Sequence, residues 1–182
     1  MSQEKPYLSI KDADFAFENM PVRVIALRSS PKIELSGLTT GPFEEGNEYT
    51  VRFWVAKHLE KAGIARFLGE ELNAPRLYKI QWTERIQSIS QLSSLPDDFY
   101  PRLRRLLAEL KASSKSSPEK MREYEYIQKL SQDIVNCRLR KIISLASTPG
   151  EKSQILRNLT TEERNLYDRL EKIINEWWSG IL

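Results

Sequence analysis

The sequence predicts an α+β protein: a small β-containing N-terminal domain over residues 1–73, then a mainly α-helical bundle domain over 74–182. Three observations predict it. Apolar residues alternate between Val22 and Phe53, the period of a half-buried strand. After Pro75 the apolar spacing becomes helical and stays so. And 182 residues with 40% hydrophobic and 29% charged side chains can fold as one medium domain or two small ones.

Residues 9–19 (SIKDADFAFEN) read as a short helix, with Ser9 and Asp12 at capping-box spacing and Pro21 as the stop. Val22, Val24, Ile25 and Leu27 then favour a strand. Ser29-Ser30-Pro31 is turn chemistry, and Ile33 and Leu35 alternate on a return strand, so a hairpin is expected. Gly37, Gly41-Pro42 and Gly46-Asn47 punctuate the next stretch. Tyr49, Val51 and Phe53 mark a third strand. The chain passes straight into a helix over 53–62, with Val55 and Leu59 on one face and Gly63 as its stop. Residues 64–68 form a further short strand.

Four helices are expected beyond Pro75. In 74–92, Leu77, Ile80, Ile86 and Ile89 recur at roughly helical intervals. Asp97-Asp98 places carboxylates at the positive end of the next helix, where Leu103, Leu106, Leu107 and Leu110 share a face. KASSKSS (111–117) reads as a polar break. Ser117-Pro118 is an N-cap followed by proline at the first helical position, and nothing interrupts the helix until Thr148-Pro149-Gly150. Thr160 and Glu163 form a capping box for the last helix, which carries Leu166, Leu170, Ile173, Ile174 and Trp177.

Little here suggests catalysis. The one histidine, His58, lies within a helix, and the one cysteine, Cys137, lies in an apolar stretch. Neither has the partners of a nucleophile or a common zinc site. The carboxylate pairs Glu44-Glu45, Glu70-Glu71, Asp97-Asp98 and Glu162-Glu163 fall in turns or at helix starts, without the apolar surroundings that tune an acid catalyst. No phosphate-binding glycine motif occurs. A lone cysteine, no signal-peptide pattern and no transmembrane stretch point to an intracellular setting. With 28 basic against 25 acidic residues, interspersed, DNA contact is allowed but not demanded. RLRR (102–105) and RLRK (138–141) are its only clusters, and the link around KASSKSS is too long for a helix-turn-helix.

What remains is apolar helix surface. The long helix carries more than one apolar stripe, leaving core and subunit interface both open for Tyr124, Ile127, Ile134, Arg138, Leu139 and Ile142. Trp177 and Trp178 lie about 100° apart on a helix, so one of them faces a partner or folds over the bundle edge.

GPFEEG (41–46), then a short strand, then WVAKHLEKAGIARFL, resembles the small β-domain of GINS complex subunits, with its Gly-Pro-Phe-x-x-Gly turn. LPDDFYPRLRRLLAEL (95–110) looks like that family's Pro-Tyr-rich start of a leucine helix. EYIQKLSQDIVNCRLRKIISLAS (125–147) is similar to its long central helix. The motifs follow in family order, whereas 112–117 and the C-terminal NEWWSGIL match no family pattern. One class of the family has the helical domain first. The other, like the Psf-two and Psf-three subunits of eukaryotes, has the β-domain first, and this chain resembles the archaeal subunit of that second class.

The resemblance implies a non-catalytic scaffold of the replicative helicase, in a heterotetramer of two subunit types. Its partners would be a GINS subunit of the helical-domain-first class, the MCM helicase and a RecJ-like protein. It implies no cofactor, weak or indirect DNA contact, and a cytoplasmic, chromosome-associated location. Within it, Gly41 and Gly46 permit the tight turn, Pro42 stiffens it and Phe43 plugs the small core. The rival reading is a nucleic-acid-binding regulator using the basic helices around Arg102–Arg105 and Arg138–Lys141.

Overall fold

A computed structural model describes residues 9–35, 37–69, 71–150 and 152–182, the Leu35 side chain excepted. The start of the chain and Glu70 of the Glu70-Glu71 pair lie outside the described residues. The chain divides into two compact units, Lys11–Glu71 and Leu72–Leu182.

In the first unit α1 (Ile10–Asn19) leads into β1 (Pro21–Ala26), followed by β2 (Ile33–Leu35), β3 (Leu38–Thr40), β4 (Glu48–Arg52), α2 (Phe53–Lys61) and β5 (Ala65–Phe67). The expected hairpin between the first two strands is not formed. β1 is the centre of an antiparallel sheet ordered β4-β1-β5, with Val24 opposite both Tyr49 and Phe67, while β2 pairs with β3. The reason is length and donors. β4 offers β1 a partner from Pro21↔Arg52 to Ile25↔Glu48. β2 has three residues and follows Pro31, which lacks an amide hydrogen.

β1 alternates as a half-buried strand should. Val24 and Ala26 point into the core, while Arg23 faces out and pairs with Glu48. Val55, Ala56 and Leu59 of α2 close that core, together with Phe43 and Ala65. No side chain caps α2. The carbonyl of Met20 accepts from the Phe53 amide at 2.9 Å, so strand passes to helix without a loop.

The turn over 41–46 is held at both ends. Phe43 and Ser30 exchange two backbone hydrogen bonds of 2.8 Å, and the Gly46 amide donates to the Ala26 carbonyl at 2.9 Å. Gly41 (φ 90°) and Gly46 (φ 83°) occupy the left-handed region. A Cβ on Gly41 would also stand 3.1 Å from the Phe43 ring. The Gly41–Pro42 bond is cis. Phe43 is buried, with Tyr49 edge-on at a centroid distance of 4.9 Å. The Tyr49 hydroxyl accepts from the Glu44 amide.

The second unit consists of α3 (Ala74–Ile86), α4 (Phe99–Ser114), α5 (Pro118–Ser147), α6 (Ser153–Leu156) and α7 (Thr161–Ile181). Caps set the boundaries. The Asn73 and Ser117 side chains accept from the amides of Arg76 and Lys120, and Thr160 and Glu163 form the complete capping box of α7. The polar break is shorter than expected. α4 continues through Ser114, leaving Lys115–Ser117 between the helices. The hydroxyls of Ser113, Ser114 and Ser116 bond back to carbonyls three residues earlier and so finish the helix. Link length therefore no longer excludes a helix-turn-helix. The packing does: Phe99 and Leu103 of α4 share a core with Ile127, Leu130 and Ile134, so the helices run side by side.

A second core joins Ile142, Leu145 and Ala146 of α5 to Leu92, Leu159 and Tyr167. Residues 127, 130, 134, 142 and 145 are thus one inward stripe along α5.

Phe43→Ala empties the most enclosed aromatic position of the small sheet unit. We expect a loss of about 3–5 kcal/mol in that unit, measured by chemical denaturation. A loss below about 1 kcal/mol would mean that Phe43 does not organise this core.

Candidate interaction surface

The inward stripe of α5 contains a position that is not apolar. Arg138 lies four residues from both Ile134 and Ile142, so helical geometry aims it into the core, and it is fully buried. All five of its donor positions are used. Its Nη1 donates to Glu84 Oε1 at 2.6 Å and to the Ser93 carbonyl at 3.0 Å. Its Nη2 donates to Glu163 Oε2 at 2.7 Å and to the Asn158 carbonyl at 3.2 Å, and its Nε donates to Glu163 Oε1. Lys141, one turn on, donates to Glu84 Oε2 at 2.7 Å. Tyr100 donates to Glu163 at 2.6 Å, and Ser93 to Glu84. Two carboxylates and two cations from α3, α5 and α7 therefore neutralise one another inside the bundle, with α4 contributing Tyr100.

The electrostatics follow from this neutrality. Burial by itself raises the Glu84 carboxyl, but hydrogen bonds from Lys141 and Ser93, with the charges of Arg138 and Lys141, outweigh it and hold the pKa below 4.5. Burial likewise acts against the Arg138 cation. The Glu163 hydrogen bonds and the two carboxylate charges reverse that, so it stays protonated. Burial and the neighbouring Glu163 raise the Tyr100 hydroxyl well above its ordinary range.

These groups correct several expectations. Arg138 is not available to a partner, nor are Ile127, Ile134 and Ile142, because all four are buried in this chain's own core. Glu163 is not simply a dipole-placed surface acid. It is buried, and it serves both the cap and the ionic network. The two basic clusters are not a phosphate-binding surface either. Arg138 and Lys141 are internal, which leaves Arg140 as the exposed cation of the second cluster, and Arg102, Arg104 and Arg105 pair with Asp98, Glu162 and Glu109. Glu84 was not legible as a functional position. Sequence reasoning places Lys141 only in a basic cluster, and Arg138 in that cluster and among the core-or-interface candidates; the signal that could have found both is their place in the apolar stripe.

The remaining surface candidates stay accessible. Leu139 lies between Val135 and Ile143 on an exposed stripe of α5 at four-residue spacing, and Tyr124 is half-buried. On α7 the expected single apolar face divides. Tyr167 is buried, and Leu170 and Ile174 pack against the second core. Leu166, Ile173 and Trp177 face outward. Trp177 and Trp178 are both exposed, at 63% and 41%. Trp178 also lines a cleft of about 140 Å³ with Lys152, Glu171 and Ile174, so it lies partly along the bundle edge. Ile181 and Leu182 continue the apolar surface to the end of the chain.

His58 is exposed against the edge of Trp54, and Cys137 is half-buried. Among the described residues no cluster could hold a metal ion, and no helix is long and apolar enough to cross a membrane. The geometry offers contact surfaces: apolar stripes on helices whose orientation an internal ionic network fixes.

Two family models match this chain. Residues 66–182 match the GINS complex protein helical bundle domain, and residues 9–68 match the PSF2 N-terminal domain. No curated protein matches it.

Removing Arg138 alone leaves the buried Glu163 carboxylate without a cation and Glu84 with Lys141 only. Arg138→Met is expected to cost about 3–5 kcal/mol, whereas replacing Glu84, Arg138, Lys141 and Glu163 together with apolar residues costs less than that single change. Denaturant midpoints of both variants decide it, and equal losses would contradict neutralisation as the network's role. The pH dependence has a fixed sign. Because the folded pKa of Glu84 is lowered, its contribution is complete above about pH 4.5 and is lost as pH falls through the folded value. A Glu84→Gln chain should show a shallower loss of stability on acidification.

Proposed function

This chain belongs to the GINS family of replication-complex subunits, and from that premise we propose that it is a non-catalytic scaffold. It joins a second GINS subunit type, of the helical-domain-first class, in a heterotetramer. The assembled body holds the MCM helicase and a RecJ-like protein at the chromosome. The order of its family matches, PSF2-type region first and helical bundle second, supports the β-domain-first class. We take the division at residues 73 and 74 as its working boundary, and the archaeal, cytoplasmic member of that class as its closest description.

The observation that carries the reading is apolar surface left over after the bundle has closed. Leu139 with Val135 and Ile143 on α5, and Trp177 with Ile173 and Ile181 on α7, lie outside cores that are already filled. Contiguous exposed apolar surface on a folded chain marks a partner site, and tryptophan is enriched among residues that dominate binding. Tyr124 and Trp178 border these stripes. The small sheet unit, closed around Phe43, serves as a separate docking module.

Co-expression with a candidate second subunit, followed by native mass measurement, tests this. The wild-type chain should form a heterotetramer. Leu139→Glu combined with Trp177→Ser should weaken assembly by at least 2 kcal/mol, roughly thirtyfold, without unfolding the exposed positions' own helices. Phe43→Ala should leave assembly largely intact. A stable monomer showing no tendency to associate with any GINS-type partner would end the proposal.

A further inference from the structure

α3 carries its side chains in an unusual sense. Its one carboxylate, Glu84, points inward, while an outward stripe holds Tyr78, Trp82 and Ile86 at four-residue spacing, continued by Ile89 beyond the helix end. These four are 54–60% exposed. An apolar stripe at that spacing is the pattern by which one helix packs on another. Here the inner face, with Leu77 and Ile80, already has its partner in α4 and α5.

Apart from Glu125, exposed one turn before Lys129, the surface charges around the stripe have one sign. Glu84 is the only acid in residues 74–96, and Asp133 is the only one in 126–140. Both are committed inside the subunit. Glu84 serves Arg138 and Lys141, and Asp133 accepts from Gln81 at 2.6 Å and Arg85 at 2.8 Å. That contact identifies the edge of α5 beside α3. Lys129, Tyr126 and Arg140 stand four and seven residues from Asp133, hence on the same edge, and all three are exposed. Lys79 is exposed on α3 itself. The surface is therefore aromatic and aliphatic along its centre, with lysine and arginine beside it.

We propose that the outward face of α3, with the adjoining edge of α5, docks an acidic amphipathic helix of a partner protein. That helix would place apolar side chains against Tyr78, Trp82 and Ile86 and carboxylates toward Lys79, Lys129 and Arg140. Helix-in-groove recognition reads such i, i+4 anchors, and charge complementarity sets partner choice and association rate. A second copy of this chain docking through the same face would bring like charges together. Single-stranded nucleic acid would use the aromatic rings, but Ile86 and Ile89 offer bases no stacking surface and the cations are few. This face is distinct from the α5 and α7 stripes assigned to assembly, and the inference does not depend on that assignment.

The test uses the full chain and three labelled probes: a leucine–glutamate amphipathic peptide, its leucine–lysine counterpart, and oligo(dT). Fluorescence anisotropy at low and high salt should show the acidic peptide binding at least tenfold more tightly than the basic one, with affinity falling several-fold as salt rises. Trp82→Ser with Ile86→Ser should weaken it tenfold or more while preserving helicity by circular dichroism. Lys79→Glu should weaken it less, through the association rate. Equal affinity for the two peptides, no binding of the acidic peptide, binding unaffected by the double variant, tighter binding of oligo(dT), or self-association abolished by the double variant would each overturn the proposal.

Discussion

Arg138 is the constraint on which the helical unit depends. A guanidinium taken fully out of water is tolerable only if every donor and the charge are answered. Its position on α5 fixes where the answers must come from. Glu84 has to face it from α3, Glu163 from the first turn of α7, and the carbonyls of Ser93 and Asn158 from the segments preceding α4 and α7. The apolar residues fill volume around this centre, but they would tolerate several rotations of each helix. The ionic centre selects among them.

The consequence for the surface is geometric. Successive residues on a helix are about 100° apart, so turning Glu84 inward turns Trp82 and Ile86 outward. The same holds on α7, where Glu163, Tyr167, Leu170 and Ile174 point toward the bundle and leave Leu166 and Ile173 at the flank. The surfaces proposed for partners are thus by-products of the way the interior is neutralised.

Local chemistry was legible in the sequence because its causes are local. Ser117 and Thr160 cap helices through amides three residues away, and the 41–46 turn is set by its own glycines and proline. Strand order was not legible. Whether β1 pairs with the strand after Pro31 or with Glu48–Arg52 depends on partners far apart in sequence. The break at 111–117 misled because serines, taken there as loop formers, instead close the end of α4 with their hydroxyls. The inward faces of α3 and α7 misled for another reason. Hydrophobic periodicity counts apolar residues, and both helices place a glutamate where the count wants leucine. Arg138 was the available clue, a cation interrupting an otherwise apolar stripe, and it called for buried carboxylates elsewhere in the chain.

A GINS-family subunit that keeps aromatic surface outside has a particular reason to accept such an interior. α3 is apolar on both sides, with Leu77 and Ile80 on one and Tyr78, Trp82 and Ile86 on the other. Had its inner face been apolar throughout, burying the larger aromatic side would have been a competing arrangement, and the favourable area terms alone would not forbid it. With Glu84 in place, rotating the helix carries a carboxylate away from Arg138 and Lys141 and leaves both cations short of a partner. Uncompensated buried charge costs several kcal/mol, comparable to what burying one or two of the aromatic rings would return. The network therefore contributes orientation more than stability: it keeps aromatic surface on the outside of a helix that would otherwise tend to hide it.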